Sequence, residues 1–229
     1  MAQEHPTRVV AVDGPGGSGK STVARGVARR LGMRYLDTGA MYRAVTHHVL
    51  DYRVDLEDAE AVAEIAERTV LSVGTDPDAP TIAVDGHDVS AEIRSGPVTN
   101  AVSAVSAVPA VRRLMVARQR SIIAGAGPRG IVVEGRDIGS VVAPEAEVKV
   151  FLTASSTVRA ERRAAESGSR GPDAVARTQA ALHRRDTADS SRPQSPLTQA
   201  GGAILIDSTS LSPDEVIDQV VGLAGQLTA

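Results

Sequence analysis

Gly14-Pro15-Gly16-Gly17-Ser18-Gly19-Lys20-Ser21 constrains this chain more than any other stretch. It completes the pattern G-x-x-x-x-G-K-[ST] in the context that gives the pattern meaning. A short apolar run, Arg8 to Val12, precedes it and reads as a buried strand. A helical run, Ser21 to Leu31, follows, with Val23, Val27 and Leu31 four apart and Gly32 at its end. Glycines let the backbone curl and approach a polyphosphate without a Cβ in the way. The helix N-terminus adds partial positive charge. Lys20 can carry a mobile cation to the β and γ oxygens, and the Ser21 hydroxyl can ligate Mg²⁺. A plain strand-to-helix turn needs none of this. Gly14 to Ser21, with Thr22, are therefore expected to hold the tail of ATP.

The 229 residues suffice for one α/β domain with a small insertion. The core must be aliphatic, because the chain has one Phe, three Tyr and no Trp. That suits a parallel sheet covered by helices. Few aromatics and a net charge of −3 argue against nucleic acid as a partner. With no cysteine, disulfides, Cys-ligated zinc and thiol catalysis are excluded. Met1 to Pro6 is polar and lacks an apolar signal core, and no apolar run approaches a membrane span. A cytoplasmic protein is expected. No coiled-coil pattern occurs, so a monomer is expected.

Further strands are predicted at Arg34 to Leu36, Ile131 to Val133, Val148 to Leu152 and Ala203 to Ile206. Helices are predicted at Ala40 to Leu50, Ala59 to Arg68, Val111 to Ala124 and after Ser212-Pro213, a good cap and first position. Ser155 to about Arg185 reads as helical with a break near Gly168 to Pro172, and Ser191 to Ala200 reads as coil. Between residues 56 and 99 the character changes. Val70 to Val73, Thr81 to Val84 and Asp88-Val89 are short strands, the last two joined by an Asp85-Gly86 turn. Antiparallel hairpins in an alternating α/β chain point to an inserted subdomain.

A GTPase switch needs an Asn-Lys-x-Asp base reader, but Asn100, the chain's one asparagine, precedes Ala101. The remaining polar clusters favour a kinase with an anionic acceptor. Asp37-Thr38-Gly39-Ala40-Met41-Tyr42-Arg43 follows the second strand, and Glu134-Gly135-Arg136-Asp137 follows another, both at carboxyl ends of the sheet. Arg159, Arg162 and Arg163, with Arg184, Arg185 and Arg192, can spread over a transferring phosphoryl group or form a helical lid that excludes water. Glu161 and Glu166 offer the plainer reading of a solvated helix face.

These runs together, with Arg185-Asp186-x-x-Asp189-x-x-Arg192, Asp85-Gly86-x-Asp88-Val89 to Ile93-Arg94 and Asp207-Ser208-Thr209, closely resemble bacterial cytidylate kinases from about Arg8 to the last helix. The resemblance implies a P-loop NTPase fold: a five-stranded parallel sheet flanked by helices, a lid at about 155–190, and an acceptor-binding insertion at 56–99 between core segments 1–55 and 100–229. It implies phosphoryl transfer from ATP, with Mg²⁺, to CMP or dCMP. Arg43 and Arg136 then look like ligands of the CMP phosphate, with Thr38 and Tyr42 nearby. Ser103, Arg112 and Asp137 look like cytosine readers, and Arg185, Asp189 and Arg192 like sugar-side contacts. Lys20, Arg136, Arg159, Arg162 and Arg163 are the implied catalytic cations. Ser21 is the implied Mg²⁺ ligand, with Glu134 acting through water. Thr38 stands where many relatives have Ser, and Glu134 where some have Asp. Another small P-loop kinase, of the UMP/CMP, AMP or shikimate type, and a non-catalytic nucleotide-binding or regulatory protein are the competing readings.

Overall fold

The computed structural model describes residues 7–166, 168, 171–192 and 194–226. The expectations for Met1 to Pro6, for Pro193 in the coil, and for residues 167, 169 and 170 at the helix break lie outside the described residues.

A five-stranded sheet forms the centre. Its strands are β1 (Val9–Asp13), β2 (Arg34–Asp37), β6 (Ile131–Gly135), β7 (Val148–Thr153) and β8 (Ile204–Asp207). They stand in the order β2-β6-β1-β7-β8, every neighbouring pair parallel. β1 is buried along its whole length because β6 and β7 pair with its two edges and helices cover both faces. Alternation along β1 sorts the core. Val9 and Ala11, with Leu36 and Val133, pack towards α2 (Thr38–Asp51), α4 (Gly96–Ala107) and α5 (Pro109–Ala124). Val10 and Val12, with Tyr35, Val132 and Leu152, pack towards α1 (Lys20–Leu31) and α8 (Pro213–Gln226).

The carboxyl ends of β1, β2, β6 and β7 open on one rim, and β1 has β6 on one side and β7 on the other. That is a switch point, the place where open α/β sheets bind ligands. The P-loop, Asp37 and Gly135 all stand there by topology.

Between α3 (Ala59–Arg68) and α4 lies the second sheet, β3 (Leu71–Val73), β4 (Ile82–Val84) and β5 (His87–Asp88), antiparallel in that order. Asp85 and Gly86 both take positive φ, 50° and 83°, which is the tight turn that matches strand twist. The segment between β3 and β4 returns along β2: Tyr35 N donates to Thr75 O at 2.9 Å and Arg25 Nε to Pro77 O at 3.0 Å.

α4 was not anticipated. Its sequence is small and β-branched, with no charge and weak helix propensity. Yet Pro97 stands in its first turn, and Val98, Ala101, Val102 and Val105 form one buried stripe at helical spacing. α4 runs across residue 99, the expected inner boundary of the insertion. The arginine-rich segment forms two helices, α6 (Ser156–Glu166) and α7 (Pro172–Ser190). After β6 the chain makes a short π-helical turn, Ile138–Val142, also unanticipated.

Candidate active site

The loop after β1 is shaped by close packing. A Cβ on Gly14, at φ 151°, would stand 2.0 Å from Leu152 O, and one on Gly17, at φ 75°, 2.5 Å from Arg159 O. Only glycine fits either position. Four of the loop carbonyls accept from cationic side chains. Arg136 Nη1 donates to Gly14 O at 2.8 Å, Lys20 Nζ to Pro15 O at 2.8 Å, Arg159 Nη1 to Gly16 O at 3.0 Å and Arg162 Nη1 to Ser18 O at 3.5 Å. In a trans peptide the next N–H points the opposite way. Tying these carbonyls outward therefore leaves the amides of Gly17 and Gly19 for an incoming anion, while Gly16 N donates to Asp186 Oδ1 at 3.4 Å.

Beneath the loop, Ser21 Oγ donates to Glu134 Oε2 at 3.0 Å, and Tyr35 Oη donates to Glu134 Oε1. Glu134 is buried, which pushes its carboxyl up to about 7, and the nearby Asp37 charge adds to this. Burial, followed by the Arg136 charge, pulls the Lys20 ammonium down to about 7. A hydroxyl and a carboxylate side by side next to a phosphate cradle fit Mg²⁺, which takes few protein oxygens and shares substrate phosphates. Among the described residues no group of three or more acidic or imidazole side chains is placed to hold a metal ion, so no all-protein cage competes with that arrangement.

Asp13, at the end of β1, accepts from Ile138 N and Gly139 N, both at 2.8 Å. It thereby pins the π-helical turn and fixes where Arg136 and Asp137 leave β6. Burial raises its carboxyl to about 6 despite those two bonds.

Towards the insertion the cleft changes character. Arg112 Nη2 donates to Asp137 Oδ2 and Nη1 to Ser106 O at 3.2 Å. The Arg112 guanidinium carbon lies 5.4 Å from the Tyr42 ring centre. Asp189 accepts from Arg136 Nε at 2.9 Å and pairs with Arg192 Nη2 at 2.6 Å. Tyr42 Oη, Ser103 Oγ, Arg112 Nε and Arg185 Nε are buried without a hydrogen-bond partner. Buried polar groups are rarely left so, and four around one cleft are suited to a polar ligand.

Cations crowd the middle of the cleft. Arg43 is brought down to about 10 by burial and then by Arg185, Arg163 and Arg136. Arg185 is lowered by burial and then by Arg136. Arg43 Nη1 meanwhile rests on Ile93 O at 3.1 Å and Thr99 Oγ1 at 3.0 Å. Mutual repulsion of this kind is relieved by a phosphate.

A cleft of about 210 Å³ unites most of the expected residues: Gly16, Gly17, Gly19, Lys20, Ser21 and Thr22 at one end, and Thr38, Tyr42, Arg43, Ser103, Arg112, Glu134, Arg136, Asp137, Arg163, Arg185, Asp189 and Arg192 along the rest. Gly14, Pro15 and Ser18 stand behind its wall. Arg159 and Arg162 do not line it. Arg159 pairs with Asp186 as well as Gly16 O, and Arg162 Nη2 donates to Ser208 O at 2.8 Å. Arg163 pairs with Glu166 at 2.9 Å, and Arg184 is exposed. The Thr38 hydroxyl donates to Glu134 O at 2.7 Å. The sequence reading gave no role to Asp13, Tyr35 or Asp186. Asp13 directly precedes the phosphate loop and Asp186 lies inside the run Arg185-Asp186-x-x-Asp189, which was a usable signal, whereas Tyr35 looks like any core residue of a strand.

No helix among the described residues is long and apolar enough to cross a membrane. In overall shape the chain is similar to an uncharacterized protein from Eubacterium ventriosum, with a TM-score of 0.51 at 12% identity over 96% of this chain and 99% of that one. In sequence it is 53% identical over 227 residues to the cytidylate kinase of Nocardia farcinica, covering 99% of this chain and 97% of the relative. It is likewise 53% identical over 215 residues to that of Streptomyces griseus, covering 94% and 91%. The cytidylate kinase family profile matches residues 10–226, and the chain belongs to that family.

Proposed function

We propose that this protein transfers the γ-phosphoryl group of ATP to the 5′-phosphate of CMP or dCMP, yielding ADP and CDP or dCDP. The observation that carries the reading is the cluster of Arg43, Arg136, Arg163 and Arg185 standing between the phosphate loop and the buried Arg112–Asp137 pair. One end suits a polyphosphate, the middle suits phosphate oxygens, and the far end suits a base edge with both donors and acceptors.

An oxygen of the acceptor phosphate attacks Pγ in line. An O–Pγ bond forms, the bond from Pγ to the β–γ bridging oxygen breaks, and the electron pair leaves on ADP. The acceptor is already anionic near neutral pH, so no general base is required. Catalysis is positioning plus neutralisation of charge. Lys20 leaves Pro15 O for the β and γ oxygens, while Arg43 and Arg136 hold the acceptor phosphate. Ser21 and Glu134 would hold Mg²⁺, which when bound neutralises charge on the phosphates. Asp137 accepts from the exocyclic amine of cytosine, a donor that uracil lacks, with Ser103 and Arg112 beside it. Asp189 and Arg192 face the sugar.

In this reading α6 and α7 are the lid, and Arg159 and Arg162 act through the loop they brace. The insertion at 56–99, with α4, is the acceptor subdomain. The reading calls on no residue of a second subunit, and the nucleotide substrates favour the cytoplasm.

A coupled assay with ATP and Mg²⁺ over a panel of acceptors tests the proposal. CMP and dCMP should release ADP far faster than UMP, AMP or shikimate. Preference for another acceptor, or none above background, overturns it.

A further inference from the structure

Tyr35 sits in the middle of β2, on the face that packs against α1, in one aliphatic cluster with Val23, Val27 and Val132. It is 2% exposed. Nothing in that environment calls for a hydroxyl, and an aliphatic residue or Phe would fill it at no polar cost. The hydroxyl instead reaches a carboxylate next to the phosphate loop, that of Glu134, which stands opposite Asp37 on the same face of the sheet. It donates to Glu134 Oε1, while Ser21 donates to Oε2 at 3.0 Å. β2 and β6 are adjacent and parallel, with Tyr35 opposite Val132. Glu134 lies two residues beyond Val132, so its side chain leaves the same face within reach of the ring.

The division of the carboxylate is the informative feature. A glutamate arm has three torsions, and a buried one with a single partner can swing. Lys20 stands close by as a rival partner, and the Asp37 charge repels the arm. A hydroxyl fixed by a rigid, packed ring claims Oε1 and leaves Oε2 beside Ser21 Oγ, the hydroxyl that fits a divalent cation.

We propose that Tyr35 is a positioning residue of the phosphoryl-transfer site. Its hydroxyl locks the Glu134 carboxylate so that Oε2 faces the cation bound at Ser21. This rests on the kinase reading above for its context, but not on the identity of the acceptor.

The test is Tyr35→Phe, which keeps the ring and removes the hydroxyl. The probe is Mn²⁺ bound to the protein–ADP complex, followed by electron paramagnetic resonance and without any acceptor. Mn²⁺ should bind roughly tenfold more weakly, the scale for loss of a partner that orients a ligand. The Mg²⁺ concentration for half-maximal activity should rise in parallel, while kcat at saturating Mg²⁺ and the KM for acceptor stay within about twofold. A double-mutant cycle supplies the second arm: in a Glu134→Gln background, Tyr35→Phe should add no further loss of Mn²⁺ affinity. Unchanged Mn²⁺ binding in a folded Tyr35→Phe protein overturns the proposal. So does a loss equally large in the Glu134→Gln background, which would mean that the hydroxyl acts on the fold generally. The Mn²⁺ result stands whichever acceptor the kinase uses, so a failed acceptor assay and a failed Tyr35 assignment are distinguishable.

Discussion

Arg112 on α5 and Asp137 just beyond β6 form an ion pair that is nearly sealed from water, with side-chain exposures of 5% and 6%. Such a pair contributes little to stability for what its desolvation costs, and removing one member leaves the other charge stranded. Its place at the end of the cleft suits the reader role proposed for it.

Asp137→Asn keeps the volume but reverses one acceptor. The kcat/KM for CMP should fall on the order of 10³-fold while that for UMP changes far less, because a site built around an acceptor discriminates by leaving it unpaired. The KM for ATP should hold. Steady-state kinetics with CMP, dCMP and UMP check this, and an unchanged preference for CMP removes Asp137 from base recognition.

Lys20→Ala should lower kcat by about 10³-fold or more with the fold intact. Its ammonium now rests on Pro15 O at 2.8 Å, a single neutral acceptor, so little stability is at stake. The loss falls on charge that develops in the transition state. Circular dichroism and turnover measured together separate the two effects.

Gly17→Ala should destabilise the protein by about 2–3 kcal/mol, from a positive φ and a contact against fixed backbone. The new Cβ would meet Arg159 O at 2.5 Å, so α6 must retreat from the loop. Denaturant unfolding and ATP binding should both report it. Gly168→Ala, with open space at its Cβ, serves as the control for the φ effect alone.

Asp13 makes stability depend on pH. Folded, it keeps its proton up to about pH 6; the ordinary value is 3.8. Between those values the folded state binds more protons, so this contribution is fully present below about pH 4 and is lost as pH rises through about 6. Asp13→Asn cannot titrate. Wild-type stability minus that of Asp13→Asn should therefore decline over the same window, as measured by urea unfolding at a series of pH values. A flat difference would show that Asp13 ionises normally.

Much of this molecule was readable in the chain itself. The strand, loop and helix around Gly14 to Ser21, the hairpin at Asp85-Gly86 and the start at Ser212-Pro213 announced themselves, because each depends on residues only a few positions apart. α4 was harder, since charge-free Val, Ala and Ser carry little intrinsic preference and tertiary burial decides. The candidate site was legible where residues fall in runs, as at Arg136-Asp137. It was obscure where a single side chain acts across the sheet.

The sequence by itself determined the glycine-rich loop after the first strand, an aliphatic core and the runs that carry the arginines. Tertiary structure alone decided which arginines face the cleft. Arg163 and Arg185 line it, whereas Arg159 and Arg162 turn to the carbonyls of Gly16 and Ser18. It alone brought Tyr35 to Glu134, 99 residues away in the chain. Local pattern fixes which face a side chain leaves from. Only the packing of strand on strand and helix on loop fixes what it meets there.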